Sequence, residues 1–149
     1  MSTQDQALGE GIVEVTETGR GKFQESVRMG AHSLIADEPV SVGGLDSGPG
    51  PYDLLLASLG SCTAMTIRLY AARKQMKLSQ VSVSLAHARV HGDDASHEPT
   101  LELERITRDI RLDGDLSDED RKRLMQIADR CPVHRTLTGK IEIVTKELR

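Results

Sequence analysis

The order of apolar and polar positions in the first third of the chain predicts three short strands and a loop. Residues 11–15 and 22–27 are short extended runs, and the polar segment between them holds two glycines that can adopt positive φ. The two runs therefore predict a β-hairpin. A third strand is expected at 32–36, and the Gly- and Pro-rich segment 42–51 that follows is typical of a loop.

The middle of the chain carries a long apolar stretch that predicts a helix over residues 52–76. Pro51 suits the first turn, because a proline there loses no helical hydrogen bond. The apolar run is shorter than the roughly 18 residues that cross a bilayer, and Arg68 closes it. We therefore expect a buried helix and no membrane partner. One stripe of this helix is expected to face packed surface, and its positions are Leu55, Leu59, Cys62, Thr66 and Leu69.

Past this helix, alternating residues predict two more strands. Apolar and small polar residues alternate over 81–86 as in a half-buried strand, and a polar turn follows at 92–94. A partner strand is expected from about 100 to 112. Its apolar parity changes near Glu104 and Arg105, which predicts a β-bulge or a sharp twist at that point.

The last segment predicts a second helix and a final strand. Ser117 and Asp120 have the spacing of a helix-starting capping box. Pro132 is expected to break that helix, and a short turn over 133–137 follows. The alternation over 141–143 predicts the last strand.

These elements predict an α+β domain. They run in the order strands, buried helix, strands, helix and strand, without the regular alternation that produces a parallel sheet. Helices segregated against an antiparallel sheet are the expected arrangement. The chain has 149 residues and contains no repeat or dividing linker, so a single domain over residues 1–149 is expected.

Composition and charge narrow the class of protein. The formal net charge is -4 with acidic and basic residues interspersed, and the aromatic residues are Phe23, Tyr52 and Tyr70. A nucleic-acid partner is not expected, because such binding needs a basic surface and stacking aromatics. The N-terminal residues have neither the basic start nor the apolar core of a secretory signal. We therefore expect a cytoplasmic protein, in which a dithiol is more often catalytic or reduced than a standing disulfide.

The two cysteines lie in different and unusual contexts. Cys62 is inside the apolar run, whereas Cys131 ends a charged amphipathic segment and precedes Pro132. A sheltered thiolate that meets an oxidant, with a second thiol able to close a disulfide, is the pattern of a redox-active pair. Two inert cysteines fit the same positions, because free cysteine is among the most buried residue types. The residues alone leave both interpretations open.

Two segments around these cysteines match a known family. Residues 48–62 read GPGPYDLLLASLGSC, and residues 131–137 read CPVHRTL. Together they strongly resemble the OsmC/Ohr family of osmotically inducible and organic hydroperoxide resistance proteins, and the resemblance runs in order along nearly the whole chain. It implies an α+β fold with antiparallel sheets packed on a long central helix. It also implies an intertwined homodimer with thiol-dependent peroxidase sites at the subunit interface, as in an antioxidant stress-response protein.

The resemblance implies roles for specific residues. Cys62 corresponds to the thiol that attacks the hydroperoxide, and Cys131 corresponds to the resolving thiol. An external dithiol is the expected reductant, and no cofactor is implied. The family lowers the pKa of its attacking thiol with an arginine. In the Ohr branch this arginine lies in the N-terminal hairpin, which makes Arg20 the candidate and Arg28 the reserve.

Two positions depart from the family pattern. The position of the OsmC-branch arginine holds Val42, and the family's Pro-Glu pair is replaced by Pro51 and Tyr52, with Asp53 one position later. Asp53 is the candidate for the carboxylate that orients the arginine. It fits equally well as an acid of the first helical turn, which the helix dipole favours.

Two alternative functions stay open at this point. A non-catalytic small-molecule binding protein, which keeps the fold and its apolar pocket, fits the altered arginine and carboxylate positions. A zinc site on Cys62, Cys131 and His134 is the metal alternative, although the usual four ligands with paired spacings are missing. The redox hypothesis predicts that the two thiols lie close in the fold, since bridging needs Cα atoms no more than about 7 Å apart.

Overall fold

The protein is described by a computed structural model for residues 8–91 and 102–148. The chain divides into two compact units, Met1–Leu55 and Leu56–Arg149, and the boundary falls inside a long helix. The architecture is α+β with antiparallel sheets, as the sequence predicted. The expectation of a single domain over residues 1–149 stays a prediction.

The first unit contains a three-stranded antiparallel sheet in the order β1 (Val13–Glu17), β2 (Glu25–Met29) and β3 (His32–Ala36). The predicted hairpin is confirmed, and Gly19 and Gly21 in its turn both have positive φ. The strand β2 begins later than predicted, because the turn continues up to the residue before it. The strand β3 has the predicted bounds.

Asp37 fixes the loop that follows β3. It is 2% exposed. Its carboxylate accepts hydrogen bonds from the Ser47 hydroxyl at 2.6 Å and from the backbone N–H groups of Glu38, Leu45 and Ser47. The bond from the Ser47 hydroxyl, together with the backbone bonds, outweighs burial and lowers the pKa of Asp37. The carboxylate therefore joins the two ends of the loop.

Two glycines of this loop have no room for a side chain. A Cβ atom on Gly44 would overlap the carbonyl oxygen of Glu38, and one on Gly48 would overlap the carbonyl oxygen of Ile35. Close backbone packing therefore requires glycine at both positions. The Gly-rich segment serves as a loop, as its composition predicted.

The long helix, α1 (Pro51–Arg73), begins where the sequence placed it. The Gly50 N–H donates a hydrogen bond to the Asp53 carboxylate at 2.9 Å, which satisfies a donor at the helix start. By length and composition α1 could cross a membrane, but the core helix of a soluble protein passes the same test. Two of its residues, Ile67 and Ala71, belong to the buried core of the second unit.

The buried face of α1 differs from the predicted stripe. Leu59 is buried as predicted, but Leu69 is 53% exposed, and Ile67 is 0% exposed in its place. Leu55, Cys62 and Thr66 are half-buried, so the prediction was wrong only at Leu69. Apolar residues occupy several sides of this helix, and periodicity alone does not single out one face. Cys62 lies beside the buried face and is half-buried. The buried residues of the helix are Leu59, Gly60, Thr63, Ile67 and Ala71.

The second unit contains a two-stranded antiparallel sheet of β4 (Lys77–His91) and β5 (Glu102–Asp115). Both strands extend beyond their predicted ends. The register is broken between Leu78 and Gln80, and pairing is regular at 104–105, so the predicted position of the bulge is wrong. The predicted turn at the end of β4 lies outside the described residues.

The change of apolar parity in β5 has a different physical origin. Leu103 stays in register and is exposed, so an apolar side chain occupies the outer face of the strand. Ile106, Ile110 and Leu112 share the opposite, inward face. The exposed Leu103, rather than a bulge, therefore accounts for the change in apolar parity.

Two helices follow the sheet. The helix α2 (Asp118–Ala128) begins at Ser117, whose hydroxyl accepts the Asp120 N–H while the Asp120 carboxylate accepts the Ser117 N–H. The predicted capping box is confirmed. Pro132 begins a further helix, α3 (Pro132–Thr138), where the sequence predicted only a turn. Proline fits the first helical position because its missing N–H has no helical partner there.

The last strand, predicted over residues 141–143, does not form. Residues 140–148 lie outside any helix or strand, and Ile141 and Ile143 are exposed. None of the described strands pairs with this segment. An alternating pattern becomes a strand only where a neighbouring strand satisfies its backbone groups.

The core of the second unit is shared by α1, both strands of the sheet and α2. This core fixes the C-terminal half of α1. Cys62 lies little more than about one helical turn before Ile67, so its position is fixed as well. The buried members of this core are Ile67, Ala71, Leu78, Leu112, Leu124 and Ala128.

Candidate functional site

Cys62 presents a half-buried thiol on α1. Its hydrogen-bond neighbours are the Cys131 thiol, the backbone N–H of Val133 and the side chain of Thr66. The long helix holds the sulfur on one side, and the start of α3 faces it from the other. The thiol is therefore sheltered yet keeps partial access to solvent.

Cys131 is 0% exposed and is the N-cap residue of α3. Its sulfur accepts a hydrogen bond from the His134 N–H at 3.5 Å. This is the contact that an N-cap side chain normally makes with the third residue of a helix. Pro132 follows directly as the first helical residue, so the local sequence holds the sulfur at the helix start.

The structure brings the two cysteines together. The Cys62 thiol donates a hydrogen bond to the Cys131 sulfur, and both residues are free thiols. This contact confirms the expectation that the two thiols lie close in the fold. Neighbouring sulfurs are a requirement for closing a disulfide.

The contact has opposite effects on the pKa values of the two thiols. Burial, and then the hydrogen bond that it donates to Cys131, raises the pKa of Cys62. Burial acts in the same direction on Cys131, but the hydrogen bonds that its sulfur accepts, first of all from Cys62, outweigh burial and lower the pKa of Cys131. The two neighbouring thiols therefore titrate as a pair.

Arg108 on β5 also reaches this part of the fold, and sequence reasoning missed it. Its side chain is 12% exposed. Its guanidinium donates to the Thr63 hydroxyl oxygen at 3.0 Å, to the Ala128 carbonyl oxygen at 3.3 Å and to the Asp129 carboxylate at 2.8 Å. The Thr63 hydroxyl, as a hydrogen-bond partner of the Cys131 sulfur, lowers the pKa of Cys131. The Thr63 side chain thus connects the largely buried guanidinium of Arg108 to the cysteine pair.

A signal for Arg108 was present in the alternation of β5. Its position has the parity of Ile106 and Ile110, which face inward. An inward-facing arginine needs hydrogen-bond partners, because an unpaired buried charge is very costly. The identity of those partners depends on α1 and α2, and no pattern within β5 specifies them.

The two candidate arginines from the sequence lie in the first unit. Arg20 is exposed in the turn between β1 and β2, where its backbone N–H donates to the Thr18 hydroxyl at 3.1 Å. Arg28, the reserve, forms an ion pair with Glu14 at 3.2 Å. The role of each toward Cys62 stays a prediction.

Asp53 is exposed near the start of α1. Its carboxylate accepts the Gly50 N–H, which is the behaviour of a first-turn acid, one of the two roles that the sequence left open. The other role, as the carboxylate that orients an arginine, stays a prediction.

The described structure provides few ligands for a zinc site at the cysteines. His134 offers its backbone N–H to Cys131, and its ring Nδ1 lies 3.9 Å from the Asp129 carboxylate. Within residues 8–91 and 102–148, no group of three His, Cys, Asp or Glu side chains is arranged to hold a metal ion. The described residues therefore lack the four-ligand set of a structural zinc site.

A pocket of about 330 Å³ lies in the second unit beside this network. Arg108 and His134 belong to its lining, and apolar side chains of Leu59, Ile106 and Leu137 contribute much of the rest. Glu104 and Thr138 complete the lining, so that polar and charged side chains outnumber the apolar ones. Its volume is that of a pocket for a small organic molecule. The second unit thus combines a thiol pair with an adjacent pocket of mixed polarity.

Comparison with known families identifies the class of protein. A family model described as OsmC-like protein matches residues 44–146, which include both cysteine motifs. The chain belongs to the OsmC-like protein family. The resemblance found in the two motifs is confirmed by this match. A search of the curated proteins found no match.

Solved structures of OsmC-like proteins share this fold. An OsmC-like protein from Mycoplasma pneumoniae has a TM-score of 0.67 and 21% identity, and the match covers 86% of this chain and 86% of that chain. An organic hydroperoxide resistance protein OsmC from Legionella pneumophila has a TM-score of 0.63 and 21% identity, over 89% of this chain and 92% of that one. An organic hydroperoxide resistance protein from Elizabethkingia anophelis has a TM-score of 0.61 and 17% identity, over 87% and 89% respectively. These likenesses show the OsmC-like fold.

Proposed function

We propose that this OsmC-like protein is a cysteine-based peroxidase that reduces organic hydroperoxides. The hydrogen bond between Cys62 and Cys131 carries the proposal, because a two-thiol peroxidase needs both sulfurs within bonding reach. Family membership over residues 44–146 supports it. So does the fold likeness to proteins named for organic hydroperoxide resistance.

In the first step an oxygen atom passes to Cys62. The Cys131 thiolate accepts the Cys62 proton along their hydrogen bond, which offsets the raised pKa of Cys62. The Cys62 thiolate attacks the terminal oxygen of the hydroperoxide, and the O–O bond breaks. The alkoxide takes the proton from Cys131 and leaves as an alcohol. Cys62 is then a sulfenic acid, and Cys131 is again a thiolate.

In the second step Cys131 resolves the sulfenic acid. Its thiolate attacks the Cys62 sulfur, so that an S–S bond forms, the S–O bond breaks and hydroxide leaves, taking a proton from solvent to become water. One hydroperoxide is thereby reduced to an alcohol and water while two thiols are oxidised to a disulfide. An external dithiol then reduces the disulfide through two successive exchanges and restores both thiols.

We assign the cation of the site to Arg20, with Arg28 as the reserve and Asp53 as the orienting carboxylate. The glycine-flanked turn of Arg20, with positive φ at Gly19 and Gly21, supports this choice, since it resembles the arginine hairpin of the family. Arg28 is the weaker candidate because Glu14 already pairs with its guanidinium.

We further infer that the protein acts as a homodimer in the cytoplasm. The segment 140–148 has a strand-like pattern, pairs with none of the described strands and exposes Ile141, Ile143 and Val144. A second copy of the chain offers a strand edge that would satisfy it. We place the protein in the cytoplasm because a peroxidase that works from a dithiol needs a compartment in which its disulfide is reduced again.

Hydroperoxide consumption by the pre-reduced protein tests the peroxidase proposal. An alkyl hydroperoxide and hydrogen peroxide are compared in separate time courses without added reductant. We expect each chain to consume about one molecule of the organic hydroperoxide as both thiols disappear, and to react more slowly with hydrogen peroxide. Thiols that stay reduced in the presence of the organic hydroperoxide would refute the proposal.

A non-catalytic binding protein is the second candidate function, and the pocket of about 330 Å³ favours it. Its lining combines the apolar side chains of Leu59, Ile106 and Leu137 with polar and charged ones that could orient a bound molecule. Binding of an apolar fluorescent probe by protein that leaves the alkyl hydroperoxide unchanged would support this function over the peroxidase.

A further inference from the structure

The Thr63 hydroxyl lies between Arg108 and the cysteine pair. Its oxygen accepts a hydrogen bond from Arg108 Nη1 at 3.0 Å, and the hydroxyl donates to the Leu59 carbonyl oxygen at 2.7 Å. Cys131 lies beside this group, because its backbone N–H donates to the same Ala128 carbonyl oxygen that Arg108 contacts, at 3.3 Å in each case. As a hydrogen-bond partner of the Cys131 sulfur, the Thr63 hydroxyl lowers the pKa of Cys131. Thr63 is fully buried, so water does not compete for these contacts.

The chemistry of these groups fixes the direction of the hydrogen bonds. A guanidinium only donates, and a hydroxyl has one proton and two lone pairs. With Arg108 bound to one lone pair, the Thr63 proton has two destinations, the Leu59 carbonyl and the Cys131 sulfur. A thiolate is the stronger acceptor because it is charged. The proton therefore turns toward Cys131 when that thiol is ionised.

Arg108 is itself held by two other acceptors. These are the Ala128 carbonyl oxygen at 3.3 Å and the Asp129 carboxylate at 2.8 Å, whose side chain is exposed. The negative charge of the Asp129 carboxylate offsets much of the electrostatic effect of the guanidinium at longer distances. The most direct hydrogen-bonded route from Arg108 to the Cys131 sulfur is therefore through the Thr63 hydroxyl.

We propose that Arg108 is a positioning residue for the cysteine pair, which orients and polarises the Thr63 hydroxyl so that this hydroxyl stabilises the Cys131 thiolate. Its catalytic consequence rests on the proposed peroxidase function, in which that thiolate is the base of the first step and the nucleophile of the second. Without Arg108 the hydroxyl turns to Leu59. The thiolate fraction of Cys131 then falls at neutral pH, and disulfide formation slows in proportion.

Other groups also face Cys131, and the test must distinguish their effects on the pKa of Cys131 from that of Arg108. Cys62 on α1 donates to the sulfur, His134 on α3 offers its backbone N–H, and the His134 ring lies near Asp129 just after α2. Replacing Cys62 with serine removes the second thiol and keeps a hydroxyl donor, so that Cys131 titrates alone. Asp129 and His134 stay unchanged in every variant.

The experiment is a pH titration of the ultraviolet absorbance of the thiolate in the Cys62→Ser protein. The same titration of Cys62→Ser/Cys131→Ser protein is subtracted, which removes the signal of the tyrosines. We expect Arg108→Gln and Thr63→Val each to raise the pKa of Cys131 by about one unit, a tenfold loss of acidity. Thr63→Ser keeps the hydroxyl and should keep the acidity of Cys131.

A double-variant cycle separates positioning from a general loss of structure. If Arg108 acts through Thr63, adding Arg108→Gln to Thr63→Val changes the thiol pKa little further. Arg121→Gln is the matched control, because Arg121 also donates to backbone carbonyls of this unit, those of Leu112 and Gly114, and neither contact involves the cysteines. We expect this control to keep the thiol pKa unchanged.

Two results would overturn the proposal: additive effects of the Arg108 and Thr63 substitutions, or an unchanged thiol pKa in Thr63→Val. If Arg108→Gln does not fold, Arg108→Lys takes its place, since lysine keeps the charge but loses the fork of donors. A raised pKa of Cys131 in Arg108→Lys supports the proposal, and an unchanged one overturns it. Because the readout is thiol acidity, a failure of the peroxidase function would be seen separately, in the hydroperoxide assay.

Discussion

The Cys62 thiol donates a hydrogen bond to the Cys131 sulfur, so the two residues hold their protons unequally. Their interaction raises the pKa of Cys62 and lowers the pKa of Cys131. In the proposed mechanism the buried thiolate is first the base that activates Cys62 and then the nucleophile that resolves it. The acidity of Cys131 should therefore influence both chemical steps.

Substitution of each cysteine by serine should separate the two roles. We expect Cys62→Ser to abolish hydroperoxide consumption, because the atom that accepts the oxygen is gone. Cys131→Ser should permit a single, slower turnover that leaves a sulfenic acid at Cys62, since the resolving thiol and its thiolate base are both missing. Residual hydroperoxide and the protein mass after one reaction cycle give the answer.

The control for this pair is the Cys62→Ser/Cys131→Ser protein, which should match Cys62→Ser in rate. If Cys62→Ser kept its activity while Cys131→Ser lost it, the assignment of the attacking thiol would be reversed. The comparison is informative because the structure lowers the pKa of Cys131 and raises that of Cys62.

Arg20→Ala should raise the pKa of Cys62 and slow its reaction with hydroperoxide. A cation close to a thiolate stabilises the charged form, and its loss should lower the thiol acidity by about tenfold. The measurement is the thiol pKa of Cys62 from the pH dependence of alkylation, together with the peroxide rate. Lys22→Ala, which removes an exposed cation from the same turn, should leave both unchanged.

If Arg20→Ala alters neither the pKa nor the rate, its assigned role is wrong and the candidacy passes to Arg28. Arg28→Ala also breaks the ion pair with Glu14, so Glu14→Ala serves as its control. An effect of Arg28→Ala that Glu14→Ala does not reproduce would then identify the activating cation.

Asp37→Asn should destabilise the protein in a pH-dependent way. Because folding lowers the pKa of Asp37, the folded protein binds fewer protons than the unfolded chain. The stability that the carboxylate contributes is full above the pKa of an unfolded aspartate, about 4, and is lost as the pH falls through the lower folded pKa. The free energies of unfolding of the parent and of Asp37→Asn should therefore converge toward acidic pH.

Chemical denaturation at a series of pH values measures this convergence. Asp46→Asn is the matched control, because Asp46 lies in the same loop with an exposed side chain. It should follow the parent at every pH. A difference between the parent and Asp37→Asn that stays constant with pH would contradict the role given to the carboxylate charge.

Ile67→Ala and Leu69→Ala should differ strongly in their effect on stability. Ile67 is buried in the core of the second unit, and removing its buried methyl and methylene groups should cost about 2–5 kcal/mol in the free energy of unfolding. Leu69 is more than half exposed, so its truncation should cost about 0.5 kcal/mol or less. Denaturant titration compares the two, and equal losses would contradict the buried face assigned to α1.

Much of the fold follows from local patterns. The hairpin glycines, the capping box of Ser117 and Asp120, and the long helix after Pro51 were all predicted and are all present. Each depends on turn geometry or helix capping, which residues a few positions apart in the sequence determine. The two cysteine motifs were also sufficient to indicate the family.

Other predictions failed where the outcome depends on distant partners. The buried face of α1 includes Ile67 rather than Leu69, because packing against β4, β5 and α2 selects the face of a helix that is apolar on several sides. The strand expected over 141–143 found no partner among the described strands. Periodicity states what a segment can form, and tertiary packing decides what it does form.

The sequence by itself determined the types of the elements, the identity of the cysteine pair and the membership of a family. Only the tertiary structure decided how the pair is arranged, with Cys62 donating to Cys131 and with Arg108 reaching the pair through Thr63. These four side chains come from α1, β5 and the start of α3, far apart along the chain. Hydrogen-bond direction and thiol acidity depend on atoms that meet only in the folded state, so no local pattern could have specified them.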